Sequence, residues 1–203
     1  RRLCLLASQC RLSKKAIPTS CRLRQVKNQA AAMKSDKESD FNLLSDPSTG
    51  TTAKASSILQ KNAKLYGPMN ALDCENSLSC WNSEGSPNGK TSSFLVIDFG
   101  RTVRPIEIAL QFQAGFVAEE LKVFRRTQGT TASAAKEEEW AELADFEVDD
   151  DHEVQSFPLA DQTALNVQEA MQTNALKLVF DECTDFYGRV TIYKLQVWGQ
   201  ELG

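Results

Sequence analysis

Alternating polarity constrains this chain more than any other feature. Ile106, Ile108, Leu110 and Phe112 share one parity, while Glu107, Ala109, Gln111 and Gln113 take the other. Successive side chains of an extended backbone point to opposite faces, so this spacing predicts an antiparallel strand with one buried face. Leu176, Leu178 and Phe180 repeat the pattern around Lys177. Val190 and Ile192 change phase to Leu195 and Val197, the mark of a bulge. Phe94 to Phe99 is nearly all apolar and closes at Gly100, which predicts a central strand buried on both faces.

Shorter strand candidates are Leu121 to Arg125, Glu139 to Val148 and Glu153 to Leu159. Turn chemistry separates them, at Gly67-Pro68, Glu84 to Gly89, Gln128-Gly129 and Asp185 to Gly188. One or two helical turns are expected over Asp161 to Asn174, where Ala, Leu, Gln, Glu and Met gather without a clear stripe. Seven or eight short strands at this spacing make an all-β sandwich. The expected division is a basic leader and linker over 1–52 and a β-sandwich domain over 53–203. Phe41-Asn42-Leu43-Leu44 is then an isolated apolar cluster in a flexible approach rich in Ser, Thr, Asp and Lys.

Charge separates the same two parts. Arg1 to Ala32 holds eight of the 23 Lys+Arg and no acid, which leaves 15 bases against 27 acids, a net of −12, for the remainder. Phosphate binding needs a basic stripe, and none follows Ala32, so direct nucleic-acid contact is not expected. The leader has the Arg-rich, acid-free composition of a mitochondrial presequence, and upstream sequence before Met33 is the alternative; neither gives it chemistry. Its apolar run, Leu3 to Ala7, falls short of the roughly 20 residues a membrane span needs.

Six cysteines stand at 4, 10, 21, 74, 80 and 183. Cys74 and Cys80 lack the close paired spacing of a zinc site, and the one histidine, His152, lies in an acidic stretch, so no metal and no cofactor are expected. No asparagine begins a glycosylation sequon. Reduced cysteines in an intracellular protein fit this pattern.

Four segments carry a resemblance: Ala55-Ser56-Ser57, Cys80-Trp81-Asn82-Ser83 after an acidic loop, Phe94 to Gly100, and the closing run Ile192 to Gly199. Together they resemble the discoidin-like, galactose-binding type of jelly roll over about Ala53 to Gly203. Gln111 to Phe116 and Asp185 to Tyr193 resemble a receptor-associated branch of that family. This resemblance implies a nuclear protein that binds a nuclear receptor of the testicular orphan type. It further implies repression of transactivation by hindering the receptor's access to its DNA element. The cytoplasm is the alternative compartment, with the mitochondrion if the leader is a genuine presequence. Secreted discoidin-like domains resemble one another in a bridge between a Cys near the start and one near the end. Ser56-Ser57 and Gly199-Gln200 stand in those places here, which speaks against an extracellular role.

Binding residues collect in loops at one end of such a scaffold. In Leu72 to Asn82, a polar stretch containing Asp73 precedes Trp81 and Asn82; it can stack and hydrogen-bond a sugar or peptide, unless Trp81 is core and Asn82 a turn residue. In Asp181 to Arg189, Asp185, Phe186, Tyr187 and Arg189 surround Gly188. They read either as interface anchors or as a turn closed by an Asp–Arg pair with Phe186 in the core. Phe116, after Gly115, is a third candidate or a lid on the sandwich end. The acidic runs Glu137 to Glu139 and Asp149 to Asp151 read as solvated faces. With one histidine, no nucleophile elbow and no phosphate loop, no catalytic residue is nominated. The chain is expected to be a non-enzymatic protein-interaction module, with a carbohydrate- or lipid-binding module as the alternative.

Overall fold

The alternation first noted at Ile106 continues into a single long strand that belongs to two layers at once. The computed structural model of the chain describes residues 41–73, 76, 79–86, 92–127, 139–159 and 171–202. Among the described residues nine strands run in chain order: β1 Asn42–Leu43, β2 Thr52–Ala55, β3 Trp81–Asn82, β4 Ser93–Phe112, β5 Ala118–Arg126, β6 Trp140–Glu147, β7 Val154–Pro158, β8 Thr173–Cys183 and β9 Thr191–Glu201. The first half of β4 lies between β2 and β8, which is followed by β5 and β6. Its second half lies between β9 and β7, and β1 and β3 pair with β9. All these pairings are antiparallel, and the result is the expected discoidin-like jelly-roll β-sandwich.

Between the halves of β4 the register with β8 shifts from Asp98 to Val103, where Gly100 takes a left-handed φ of +66°. Asp98 Oδ1 accepts from the Gly100 N–H at 3.0 Å. Arg101 clamps the corner, donating from Nη1 to Phe99 O at 2.8 Å and pairing with Glu201 at 2.7 Å.

Leu95, Ile97 and Phe99 from one layer and Ile108, Leu110 and Phe112 from the other are fully buried and meet in one core. Phe180 of β8 joins the layers, lying 5.7 Å from Trp81 and 6.2 Å edge-on from Phe112. Phe146 of β6 packs against this core with its ring 5.3 Å from that of Phe157 of β7. Fully burying each such side chain is worth about 1.5–3 kcal/mol, so the alternation of Leu, Ile and Phe is the main reason the layers associate.

Several expectations differ from the structure, among them the end of a strand at Gly100, since β4 runs on through it to Phe112. Ordered structure begins before Ala53: Asn42 and Leu43 pair with Gly199 and Trp198, and Leu44 is fully buried. The supposed lone apolar cluster is thus a strand with its anchor. Phe94 to Phe99 is buried on one face only, because Phe94 and Val96 point outward, with the Lys177 ammonium 4.6 Å above the Phe94 ring. The predicted helical stretch lies mostly outside the described residues, and its end, Thr173-Asn174, is already strand β8. Finally, Gly67 opens a short one-turn helix, Pro68–Ala71, packed near β2, rather than a simple turn. The phase change after Ile192 is a bulge as expected, since Phe112 faces Ile192 but Gln111 faces Lys194.

Candidate functional site

The sharp turn between β8 and β9 is built by one carboxylate. Asp185 Oδ2 accepts from the Tyr187 and Arg189 backbone N–H groups at 3.1 Å each and from Arg189 Nε at 3.0 Å; Oδ1 accepts from Arg189 Nη2 at 3.1 Å. This bidentate pair, four residues apart in sequence, holds the Asp185 carboxyl below its ordinary range, chiefly through the Arg189 hydrogen bond. The structure bears on the second of the two alternatives for this loop, the turn closed by an Asp–Arg pair with Phe186 in the core. The Asp–Arg turn exists, but Phe186 is 80% exposed instead of core, and Tyr187 is 51% exposed. Their rings meet edge-on at 5.2 Å. Phe116 is drawn into the same cluster, with the Arg189 guanidinium 4.9 Å from its ring.

A carboxyl whose pKa falls on folding adds stability above its unfolded pKa, and loses that contribution as pH drops through its folded pKa. An Asp185→Asn chain should accordingly melt below the wild type at neutral pH. The gap should narrow as pH falls through and below the aspartate range. Equal gaps at both pH values would remove the ion pair from the account.

Leu59, Glu84, Gly85, Ser86, Tyr187 and Arg189 line a cleft of about 270 Å³ beside this turn. Three distant segments assemble it. The Ser86 N–H donates to Tyr187 O at 2.8 Å, and buried Ser83 exchanges two hydrogen bonds with Val190. Glu84 Oε2 accepts from the Gln60 N–H at 2.8 Å, steadying a turn in which Gln60 and Lys61 both adopt positive φ. Gly85 permits the close approach, since a Cβ there would lie 2.9 Å from that of Tyr187. In sequence Glu84 to Gly89 carries only turn chemistry, and no local signal marks Leu59, Glu84, Gly85 or Ser86 as site residues, because the chain must fold before they meet.

The Leu72 to Asn82 candidates separate. Trp81 has no exposed surface and donates Nε1–H to Ser57 O at 3.1 Å, so it is core rather than a stacking platform. Asn82 is half-buried and faces Thr191 across the ladder; among the described residues, Asn82 Oδ1 and Thr191 Oγ1 are both buried without a partner. Asp73 is exposed and does not line the cleft. Ser56 and Ser57, at the place of the missing bridge, instead accept from the Phe94 and Glu84 N–H groups at 3.0 Å each.

Asp149 to Asp151 is exposed, yet Asp150 Oδ1 accepts from the Gly115 N–H at 2.7 Å and so joins this end of the sandwich. His152 is 72% exposed between Asp151 and Glu153. Glu137 and Glu138 lie outside the described residues. Cys80 and Cys183 are free; burial pushes the Cys183 thiol up to about 11, helped by Asp181, Asp185 and Glu119, which disfavours a reactive thiolate. Among the described residues no group of His, Cys, Asp and Glu could hold a metal ion, and no helix is long and apolar enough to cross a membrane.

Residues 50–201 match the model of the Sad1/UNC-like C-terminal family. The nuclear receptor 2C2-associated protein of Homo sapiens is 30% identical over 152 residues, 75% of this chain and 94% of that protein. That of Danio rerio is 30% identical over 151 residues, 74% and 92%. Among solved structures, the family 32 carbohydrate-binding module of Clostridium perfringens NanJ in complex with galactose superposes with a TM-score of 0.57 at 15% identity, covering 78% of this chain and 98% of that one. Chitosan-binding module 1 of a Paenibacillus chitosanase/glucanase gives 0.55 at 18% identity, covering 78% and 99%. At such identities the likeness is one of fold.

Proposed function

Because this chain belongs to the Sad1/UNC-like C-terminal family and to the family of the nuclear receptor 2C2-associated proteins, we propose that it is a non-enzymatic adaptor that binds a nuclear receptor of the orphan type in the nucleus. The observation that carries this reading is the match to receptor-associated relatives along nearly their whole length. Repression follows if the bound receptor cannot reach its DNA element, and this needs no contact between the chain and DNA. The acidic remainder after Ala32 is compatible with that division of labour.

The face offered to the receptor is the β8–β9 turn, where Phe186 and Tyr187 stand exposed on a backbone that Asp185 holds in place. Aromatic side chains on a rigid turn are the usual anchors of protein interfaces, because they bury much area and lose little entropy. Capture of a 2C2-type receptor from nuclear extract by the immobilised full chain tests this. Retention by the wild type and loss in the Phe186→Ala/Tyr187→Ala variant is the expected result. Failure of the wild type to retain receptor above a bare-matrix control would end the assignment. Specific retention by galactose- or lipid-coated supports, with no receptor bound, would favour the carbohydrate- or lipid-binding alternative.

A further inference from the structure

We propose that the loop end of the sandwich is a docking surface for a basic protein segment, a Lys/Arg-rich stretch carrying an apolar side chain that enters the cleft beside Phe186 and Tyr187. The inference deepens the receptor-binding reading and rests on it only for the identity of the partner. The apolar half of the argument is the pair of aromatic rings, 80% and 51% exposed, next to a cleft with Leu59 in its wall. Neither ring contributes to the core, and the turn that presents them is held by four hydrogen bonds to one carboxylate.

The charged half selects the partner. The segments 83–86, 149–153 and 182–189 carry seven carboxylates and one guanidinium, that of Arg189, already neutralised by Asp185. They form one surface: Asp150 holds Gly115, Arg189 covers Phe116, and Ser86 is bonded to Tyr187. The sheet below adds to the same sign. Glu120 and Asp181 oppose one another across β5 and β8, and Lys122 bridges them at 2.7 and 3.3 Å. One residue nearer the loops, Glu119 and Glu182 are exposed. Exposed carboxylates gathered at one end of the sandwich draw in a cationic partner and disfavour an anionic one.

Surfaces that bind DNA are rich in Lys and Arg because they neutralise phosphates. An acidic, aromatic-tipped surface competes for that same chemistry, which supplies a physical route for a receptor to be kept from its DNA.

The test uses the full chain and a fluorescent peptide of about a dozen residues in which Lys and Arg surround one Leu, read by anisotropy. Binding should weaken as salt rises from about 0.05 to about 0.3 M. It should fall at least about tenfold in Phe186→Ala/Tyr187→Ala and again in Glu119→Lys/Glu182→Lys. Melting curves matching the wild type confirm that both variants are folded. Unchanged affinity in both folded variants, or binding of chitotriose but not of the peptide, overturns the proposal. If receptor is captured but excess peptide does not displace it, this inference fails while receptor association stands. If peptide binds as expected and no receptor is captured, the acidic surface stands and the partner is another basic protein.

Discussion

Trp81→Ala is expected to cost about 3–5 kcal/mol, a large share of the 5–15 kcal/mol available to a domain of this kind. Trp81 has no exposed surface and packs 5.7 Å from Phe180, which in turn meets Phe112 from the opposite layer. Truncation would open a cavity at the point where the layers meet, too well walled by β3, β8 and β4 to collapse fully. It would also leave Ser57 O without the indole donor it now has at 3.1 Å. Urea unfolding should show the midpoint falling sharply with little change in slope, and Trp81→Phe should recover part of the loss. A change below about 1 kcal/mol would return Trp81 to the list of surface ligand residues.

Gly199→Ala should be the second most damaging of these changes, at about 2 kcal/mol or more. Gly199 lies in β9 between Asn42 of β1 and Pro105 of β4, near the corner where β4 passes between layers. A Cβ built there falls 2.1 Å from Arg104 O and 2.9 Å from a methyl of Leu44. The first neighbour is backbone, fixed by its own strand, so relief requires β9 and β4 to separate. Leu44 would yield only by leaving a fully buried site. A calorimetric melt within about 0.5 kcal/mol of wild type would show that the corner is softer than its geometry implies. Here close packing of β1 on Gly199, without a disulfide, ties the start of the domain to its end.

Much of the sandwich was readable from spacing alone. Ile108, Leu110 and Phe112 had to share a buried face because an extended chain alternates, and the bulge after Ile192 followed from one broken parity. What escaped did so for physical reasons. Asn42–Leu43 is too short to show any period, and its strand exists only because the edge of β9 is there to pair with. Two predicted strands merged into β4 because a glycine that can turn a corner looks, in sequence, like one that ends a strand. Phe94 and Val96 read as buried because composition does not tell a core face from an outer face, where the Lys177 ammonium lies over the Phe94 ring.

At the site the division is similar. Asp185 and Arg189, four residues apart, announced their pairing locally, and the structure formed it. Trp81 and Phe186 did not announce theirs, since both are large aromatics beside polar neighbours. One fills the interior and the other stands in solvent because β3 enters the sandwich while the β8–β9 turn leaves it. The amino-acid order by itself determined the strands with a clear alternation, the all-β class, the acid-rich domain and the local turn. Only the tertiary structure decided which aromatics are exposed, and only it brought Leu59, Glu84 and Tyr187 to one cleft. Alternation and near-neighbour pairing act within a few residues. Burial and surface charge depend on which distant segments the closed sandwich places side by side.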